Sequence, residues 1–159
     1  MTQNKIYLMR PFVGAEELEA VKAVFESKYL TEGPMTAEFE RQFADFVGAK
    51  HAIAVTSCMT GLVLALDALG VGNGDEVIIP DFTHPATGDC AYEVGADAVL
   101  VDVDPRTYNI TPQAIEAAIT DKTACIIPVS WGGNPIDPVI HRRFYESKIS
   151  FIKKISLNN

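Results

Sequence analysis

The N-terminal third of the chain shows the hydrophobic spacing of two helices. In Gly14–Leu30 and in Thr36–Val47, apolar residues recur every three or four positions, with charged residues between them. The sequence TEGPM lies between the two segments, and its Gly and Pro break a helix. Gly48 fits a C-terminal stop for the second segment. The pattern therefore predicts two helices before the first strand.

From residue 51 onward, short apolar runs alternate with amphipathic segments. The runs predicted to be strands are His51–Val55, Glu76–Pro80, Ala98–Val103 and Ala124–Ser130. The segments predicted to be helices are Thr60–Leu69, Pro85 to about Glu93, and the segment PQAIEAAI that follows Thr111. This alternation predicts an α/β fold with three αβα layers and a mostly parallel sheet. Such sheets bind ligands at the carboxyl ends of their strands.

Composition narrows the class of protein. The chain has 159 residues and a net charge of −8. This acidic balance argues against nucleic acid as a partner, because phosphate contacts need clustered Lys and Arg. The apolar runs are too short for a membrane span, and the N-terminal residues lack the apolar core of a signal peptide. Three Cys without tight spacing suggest free thiols and no metal site. We therefore expect a cytoplasmic protein without a membrane partner.

The charge is distributed unevenly along the chain. Residues 1–137 contain 8 Lys or Arg and 20 Asp or Glu, whereas residues 138–159 contain 5 Lys or Arg and 1 Glu. A change of sign at one position indicates a boundary. We therefore divide the chain into residues 1–137 and a basic tail, 138–159.

The sequence TSCMTG joins the first predicted strand to a helix and offers a possible anion site. Backbone N–H groups of Ser57, Cys58, Met59 and Thr60 would be unpaired at the helix start, where phosphate can bind. A simpler alternative is that Thr56 or Ser57 caps the helix. The chain lacks the G-x-x-x-x-G-K-[ST] motif of a nucleotide P-loop. The local sequence leaves the cap and the anion site open.

Three further features have two interpretations each. Cys58 is either a reactive thiol at a helix N-terminus, as in a thiol-dependent hydrolase, or a small residue in a tight turn. His84, in the sequence DFTHPAT, is either a flat ring that stacks on a planar cofactor or a helix-capping or packing residue. Asp102 and Asp104 form either a carboxylate pair or part of a turn after a strand.

Several segments together resemble one protein family. GDEVIIP, VDVDPRTYNI and ITDKTACIIPV occur in this order, and the similarity runs from about Ile6 to Asp137 and includes TEGPM. The chain resembles the DegT/DnrJ/EryC1/StrS family of sugar aminotransferases, which depend on pyridoxal 5′-phosphate (PLP). The resemblance implies the large domain of the fold type I PLP transferases, here incomplete, with residues 1–137 as its N-terminal part.

The resemblance also assigns roles to the two polar loops. It implies that Ser57, Cys58, Met59 and Thr60 bind the PLP phosphate through N–H groups and a hydroxyl. The family often has Gly and Thr where this chain has Cys58 and Met59, so Thr60 would replace the missing hydroxyl. His84 maps to the ring that stacks on the pyridine, which is usually Phe, Tyr or Trp in relatives.

The implied activity is transfer of an amino group from glutamate to a nucleotide-linked keto-sugar by a homodimer. The family's pyridine-pairing Asp and Schiff-base Lys lie beyond the similar segment, and Lys148, Lys153 and Lys154 have no matching context. We therefore expect no catalytic residue in this chain and no turnover by it alone. The tail 138–159 is expected to be a frameshifted or truncated end. The alternative function for the chain is that of a non-catalytic family fragment, which binds PLP or forms dimers.

Overall fold

The computed structural model describes Tyr7, residues 10–145 and Ser150–Phe151. The chain divides into two compact units, Met1–Ala54 and Val55–Asn159. The sequence-predicted PLP residues all belong to the second unit.

The first unit contains the two predicted helices. Helix α1 spans Ala15–Ser27 and helix α2 spans Pro34–Val47. The Glu17 carboxylate accepts a 2.6 Å hydrogen bond from the N–H of Gly14, so α1 supplies its own anion at its start. Helix α2 ends at Gly48, whose φ of 68° lies in the left-handed region that favours glycine. Both predicted helices are confirmed, with small differences at their ends.

The second unit is a parallel sheet with its connecting helices. Its helices are α3 (Cys58–Ala68), α4 (Ala86–Glu93), α5 (Pro112–Ala118) and α6 (Pro138–Tyr145). Its strands are β1 (Glu76–Pro80), β2 (Asp97–Val101), β3 (Thr123–Ile126) and β4 (Ser150–Phe151). The strand order is β2-β1-β3-β4, and each neighbouring pair is parallel.

The two faces of the sheet bury separate apolar clusters. Val77 and Ile79 of β1 pack with residues of α3 and α4, whereas Ile78 packs on the opposite face with residues of α5 and α6. This alternation is expected for a strand, since neighbouring side chains point to opposite faces. The predicted αβα layering with a parallel sheet is thereby confirmed.

The predicted buried strand His51–Val55 is wrong. In the part of the chain that the structure describes, residues 51–55 belong to no strand, and the side chain of Ile53 is 80% exposed. An apolar run becomes a strand only when another strand forms hydrogen bonds with it. The sheet β2-β1-β3-β4 provides no such partner for residues 51–55.

Strand β3 ends earlier than its apolar run predicts. The N–H of Ile127 still donates a 2.9 Å bond to the carbonyl of Ile78. The next residue, Pro128, has no N–H and cannot continue the ladder. Predicted Ala124–Ser130 is therefore observed as Thr123–Ile126.

The beginning of the basic tail is built into the second unit. Ile140 and Phe144 of α6 are buried in the cluster that contains Ile78. Arg143 of α6 forms an ion pair with Glu116 of α5. Strand β4 then pairs in parallel with β3. The predicted tail residues Lys148, Lys153 and Lys154 lie outside the described residues.

Candidate functional site

The topology brings two helix N-termini to one edge of the sheet. Helix α3 is joined to the beginning of β1 by residues 69–75 and packs with β1 in one apolar cluster. A helix that returns over its strand in this way is antiparallel to it, which puts the start of α3 toward the carboxyl end of β1. Helix α4 follows β1 directly and starts at the same end. The two helices pack against each other over one face of the sheet. Both polar loops singled out in the sequence therefore lie at the edge where α/β sheets bind ligands.

Ser57 caps helix α3, as the simpler interpretation predicts. Its backbone is extended, and its Oγ accepts a 3.1 Å hydrogen bond from the N–H of Thr60. Thr60 Oγ1 lies 3.0 Å from Ser57 Oγ and 3.1 Å from Thr56 Oγ1. Three hydroxyl groups thus meet at the first turn, and each can rotate to donate to an anion.

The cap leaves other donors at the start of α3 available. Among the described residues, no group accepts a hydrogen bond from the N–H of Cys58 or Met59, the first two helical residues. The first turn of α3 contains no acidic residue, in contrast to α1 with its own Glu17. Free N–H groups, hydroxyls and the positive end of the helix dipole suit a phosphate. The donor set therefore fits the phosphate of PLP.

Cys58 is an exposed thiol at this helix start. In the described part of the chain, no side-chain base forms a hydrogen bond with it, and a thiol nucleophile needs such a base or a nearby cation. The structure therefore offers no support for a Cys58-dependent hydrolase.

His84 lies exposed at the start of α4. Its Nδ1 accepts a 3.2 Å hydrogen bond from the N–H of Ala86, and its carbonyl accepts one of 2.9 Å from Thr87. The imidazole of His84 thus accepts a hydrogen bond from the first helical N–H, while Pro85 holds the N-cap position of α4. This hydrogen bond restrains the orientation of the imidazole ring. A fixed and exposed flat ring remains able to stack on a planar group.

Asp102 and Asp104 form a turn rather than a carboxylate pair. Asp102 accepts from the neighbouring N–H of Val103 at 2.8 Å. Asp104 accepts from the N–H of Arg106 at 2.7 Å and forms a 3.3 Å ion pair with its guanidinium. These hydrogen bonds to Arg106 lower the pKa of Asp104. Both carboxylates are thus occupied by local backbone contacts.

A cluster of three aromatic residues was not found by sequence reasoning. The ring of Phe82 lies 5.4 Å from that of Tyr108 and 4.5 Å from that of Trp131, measured between centroids. The three residues are separated by more than twenty positions along the chain. The only available signal was that each follows a predicted strand and therefore belongs at the same edge of the sheet.

Buried Asn109 connects two of the loops that form this aromatic cluster. Its amide nitrogen donates to the carbonyls of Asn134 and Pro135 at 3.0 and 3.1 Å. Its amide oxygen accepts from the N–H of Trp131 at 3.0 Å. Asn109 therefore fixes the loop after β2 to the loop after β3.

The described residues show neither a metal-ligand cluster nor a helix suited to crossing a bilayer. Within residues 10–145 and the few described beyond them, no three His, Cys, Asp or Glu side chains come together as a metal ion requires. None of the helices in this part of the chain is long and apolar enough to span a membrane.

Comparison with known proteins decides the family. A sequence profile described as the DegT/DnrJ/EryC1/StrS aminotransferase family matches residues 11–143. The chain belongs to this family. The match extends past Asp137 and into α6.

The similar proteins include a polysaccharide biosynthesis protein and an aminotransferase of known structure. The spore coat polysaccharide biosynthesis protein SpsC of Bacillus subtilis (strain 168) is 46% identical over 127 residues, which cover 80% of this chain and 33% of SpsC. An aminotransferase structure from Psychrobacter cryohalolentis has a TM-score of 0.84 and 37% identity, covering 90% of this chain and 37% of that one. The chain thus spans about a third of the length of these relatives.

A third relative was solved with the cofactor. Spr1654 from Streptococcus pneumoniae, described as a sugar aminotransferase, is 33% identical in its PLP form, with a TM-score of 0.81. The similarity covers 89% of this chain and 35% of Spr1654. These comparisons confirm the fold type I PLP-transferase architecture.

Proposed function

We propose that this chain is part of the PLP-binding large domain of an aminotransferase that acts on a nucleotide-linked keto-sugar. Glutamate would be the amino donor, and the intact enzyme would work as a cytoplasmic homodimer. Family membership supports the reaction class, and the sugar-pathway relatives support the substrate class. The observation that carries the proposal is the start of α3, where free N–H groups and three hydroxyls meet without an acidic residue.

In this proposal, the start of α3 binds the cofactor's phosphate. The N–H groups of Cys58 and Met59 donate to phosphate oxygens, and the hydroxyls of Ser57 and Thr60 add two further donors. The Ser57–Thr60 hydrogen bond holds the turn in place before the phosphate arrives. This arrangement anchors one end of the cofactor.

His84 would hold the cofactor ring. Its hydrogen bond from Ala86 keeps the imidazole in one orientation, so that the flat face is available for stacking. PLP, when bound, supplies the electron-withdrawing ring on which amino-group transfer depends. His84 and the α3 start orient this ring without taking part in proton transfer.

Residues 1–137 would form the N-terminal part of the large domain. No residue of the 159 matches the family's catalytic lysine or the Asp that pairs with the pyridine nitrogen. We therefore propose that the chain alone binds PLP and does not turn over substrate. A purified chain that transaminates a keto-sugar nucleotide with glutamate would contradict this.

A PLP titration tests the cofactor site directly. We expect saturable binding by the full chain, followed by PLP absorbance, and at least tenfold weaker binding by Ser57→Asp, whose carboxylate repels phosphate. Asp is a good N-cap, so the helix itself should be retained. Thr111→Ala is the matched control, because it removes the 3.2 Å cap bond of α5 and no proposed PLP contact. Equal PLP affinity for Ser57→Asp and the unaltered chain would refute the proposed phosphate site.

A further inference from the structure

The aromatic cluster gathers three loops at the carboxyl edge of the sheet. Phe82 follows β1, Tyr108 follows β2 and Trp131 follows β3. The ring of Phe82 lies between the other two, with centroid separations of 5.4 and 4.5 Å. Three separate loops therefore bring their aromatic rings into contact with one another.

The backbone around the cluster is held in uncommon conformations. Tyr108 has a φ of 57°, which is rare for a bulky residue. Gly132 and Gly133, which follow Trp131, have φ of 58° and 81°, and glycine adopts these values without strain. Buried Asn109 fixes the two loops to each other through its side-chain hydrogen bonds. The backbone strain at Tyr108 persists only where the surroundings enforce it, and strain of this kind concentrates at functional sites.

The rings are open to solvent rather than part of the core. Phe82 is 43% exposed, Tyr108 48% and Trp131 37%, and neither of the two buried clusters on the sheet faces includes them. Rings that served only to pack the fold would be expected in one of those clusters. Instead they present aromatic surface at the ligand-binding edge.

We propose that the aromatic cluster binds the sugar ring of the amino-acceptor substrate. This inference rests on the proposed function and extends it. Phe82 lies two residues before His84, so their backbones are separated by at most about 7 Å. A ring bound on the cluster is thus next to the proposed cofactor ring, and the group that must lie there is the reacting sugar rather than the distant nucleobase.

The chemistry of the cluster suits a sugar more than a phosphate. Sugars have apolar C–H faces that pack on aromatic rings, and the Tyr108 hydroxyl and Trp131 indole N–H can bond their hydroxyl groups. The three side chains contribute no positive charge. The nearby guanidinium of Arg106 already pairs with Asp104. A diphosphate would therefore gain no ion pair from the cluster itself.

Trp131 is the only tryptophan of the chain, so its fluorescence reports on the cluster. The full chain is titrated with UDP-glucose, glucose 1-phosphate and UDP. We expect the two sugar compounds to change the Trp131 emission in a saturable manner and UDP to leave it unchanged. No saturable change with either sugar compound would overturn the proposal. An equal change with UDP would also overturn it, since it would indicate binding of the base.

Two variants separate the cluster from general stability. Phe82→Leu keeps an apolar side chain but removes the ring, and we expect about three- to tenfold weaker binding of UDP-glucose. Tyr92→Leu is the matched control, because Tyr92 is an exposed aromatic residue near the far end of α4. Equal weakening by both variants would contradict a role for the cluster.

Saturation-transfer NMR on the unaltered chain does not depend on any variant folding. We expect the strongest transfer to the sugar protons of UDP-glucose, and strongest transfer to the uracil protons would refute the proposal. The PLP titration separates the two hypotheses. Bound PLP without a sugar response would refute only the sugar site on the aromatic cluster. Absent PLP binding would refute the proposed cofactor site, whatever the response to the sugar compounds.

Discussion

Ser57 Oγ and the N–H of Thr60 form a 3.1 Å hydrogen bond that begins helix α3. We expect Ser57→Ala to lower the free energy of unfolding by about 1 kcal/mol, because loss of an N-cap oxygen leaves that N–H unpaired. Chemical denaturation measures this change. Ser57→Asp should retain most of the stability, since Asp also caps helices, and a loss as large as that of Ser57→Ala would contradict the capping role.

Asn109 is buried and makes three side-chain hydrogen bonds between two loops. We expect Asn109→Ala to lower the free energy of unfolding by about 2–3 kcal/mol, because it leaves the N–H of Trp131 and two carbonyls without their partner. It should also shift the Trp131 emission. Asn134→Ala is the control, since exposed Asn134 donates one side-chain bond, of 3.2 Å to Thr107. If both variants lower the free energy of unfolding by the same amount, Asn109 is not the main connection between the two loops.

Ile140 tests whether helix α6 belongs to the fold. Its side chain is fully buried against the sheet face that contains Ile78. We expect Ile140→Ala to cost about 2–5 kcal/mol in a denaturation experiment, from lost burial and the cavity that remains. Val139→Ala, on the exposed side of α6, should change stability by less than about 1 kcal/mol. An unchanged stability of Ile140→Ala would contradict the packing of α6 against the sheet.

Glu38 tests local electrostatics in the first unit. Hydrogen bonds from Arg41 and then from Gln42 lower the pKa of Glu38 to about 2. A lowered acid pKa favours the folded state above the unfolded pKa, near the reference value of 4.5, and this contribution disappears as the pH falls toward 2. An NMR titration should show this low value, and Arg41→Met should raise it toward 4.5. Glu38 and Arg41 are exposed, so overall stability should change little.

The sequence was most informative where local and tertiary signals agree. The run EVIIP predicts β1 as observed, because its apolar residues pack on both faces of the sheet. Thr111 caps α5, and a cap is a contact between residues three positions apart that a local sequence pattern can predict. The apolar run at residues 51–55 predicts a strand equally well, but pairing requires a second strand that the sequence pattern cannot supply.

The candidate site was only partly predictable for a related reason. Ser57, Thr60 and His84 lie in two loops whose polar residues follow apolar runs, and this is a local pattern. The aromatic cluster instead depends on three loops meeting, and Asn109 pairs with residues more than twenty positions away. Neither feature has a short-range signature.

The strand order β2-β1-β3-β4 also has a consequence for synthesis of the chain. Among the described strands, β1 is synthesised first. In the folded sheet it is an inner strand, with β2 on one side and β3 on the other. Its second edge is paired only after residue 126 has emerged, and its middle residues Val77, Ile78 and Ile79 are all apolar. An unpaired apolar strand is the part of a nascent chain most prone to aggregate and to recruit chaperones. The same apolar residues that stabilise the finished sheet thus keep an unpaired strand edge until β3 has been synthesised.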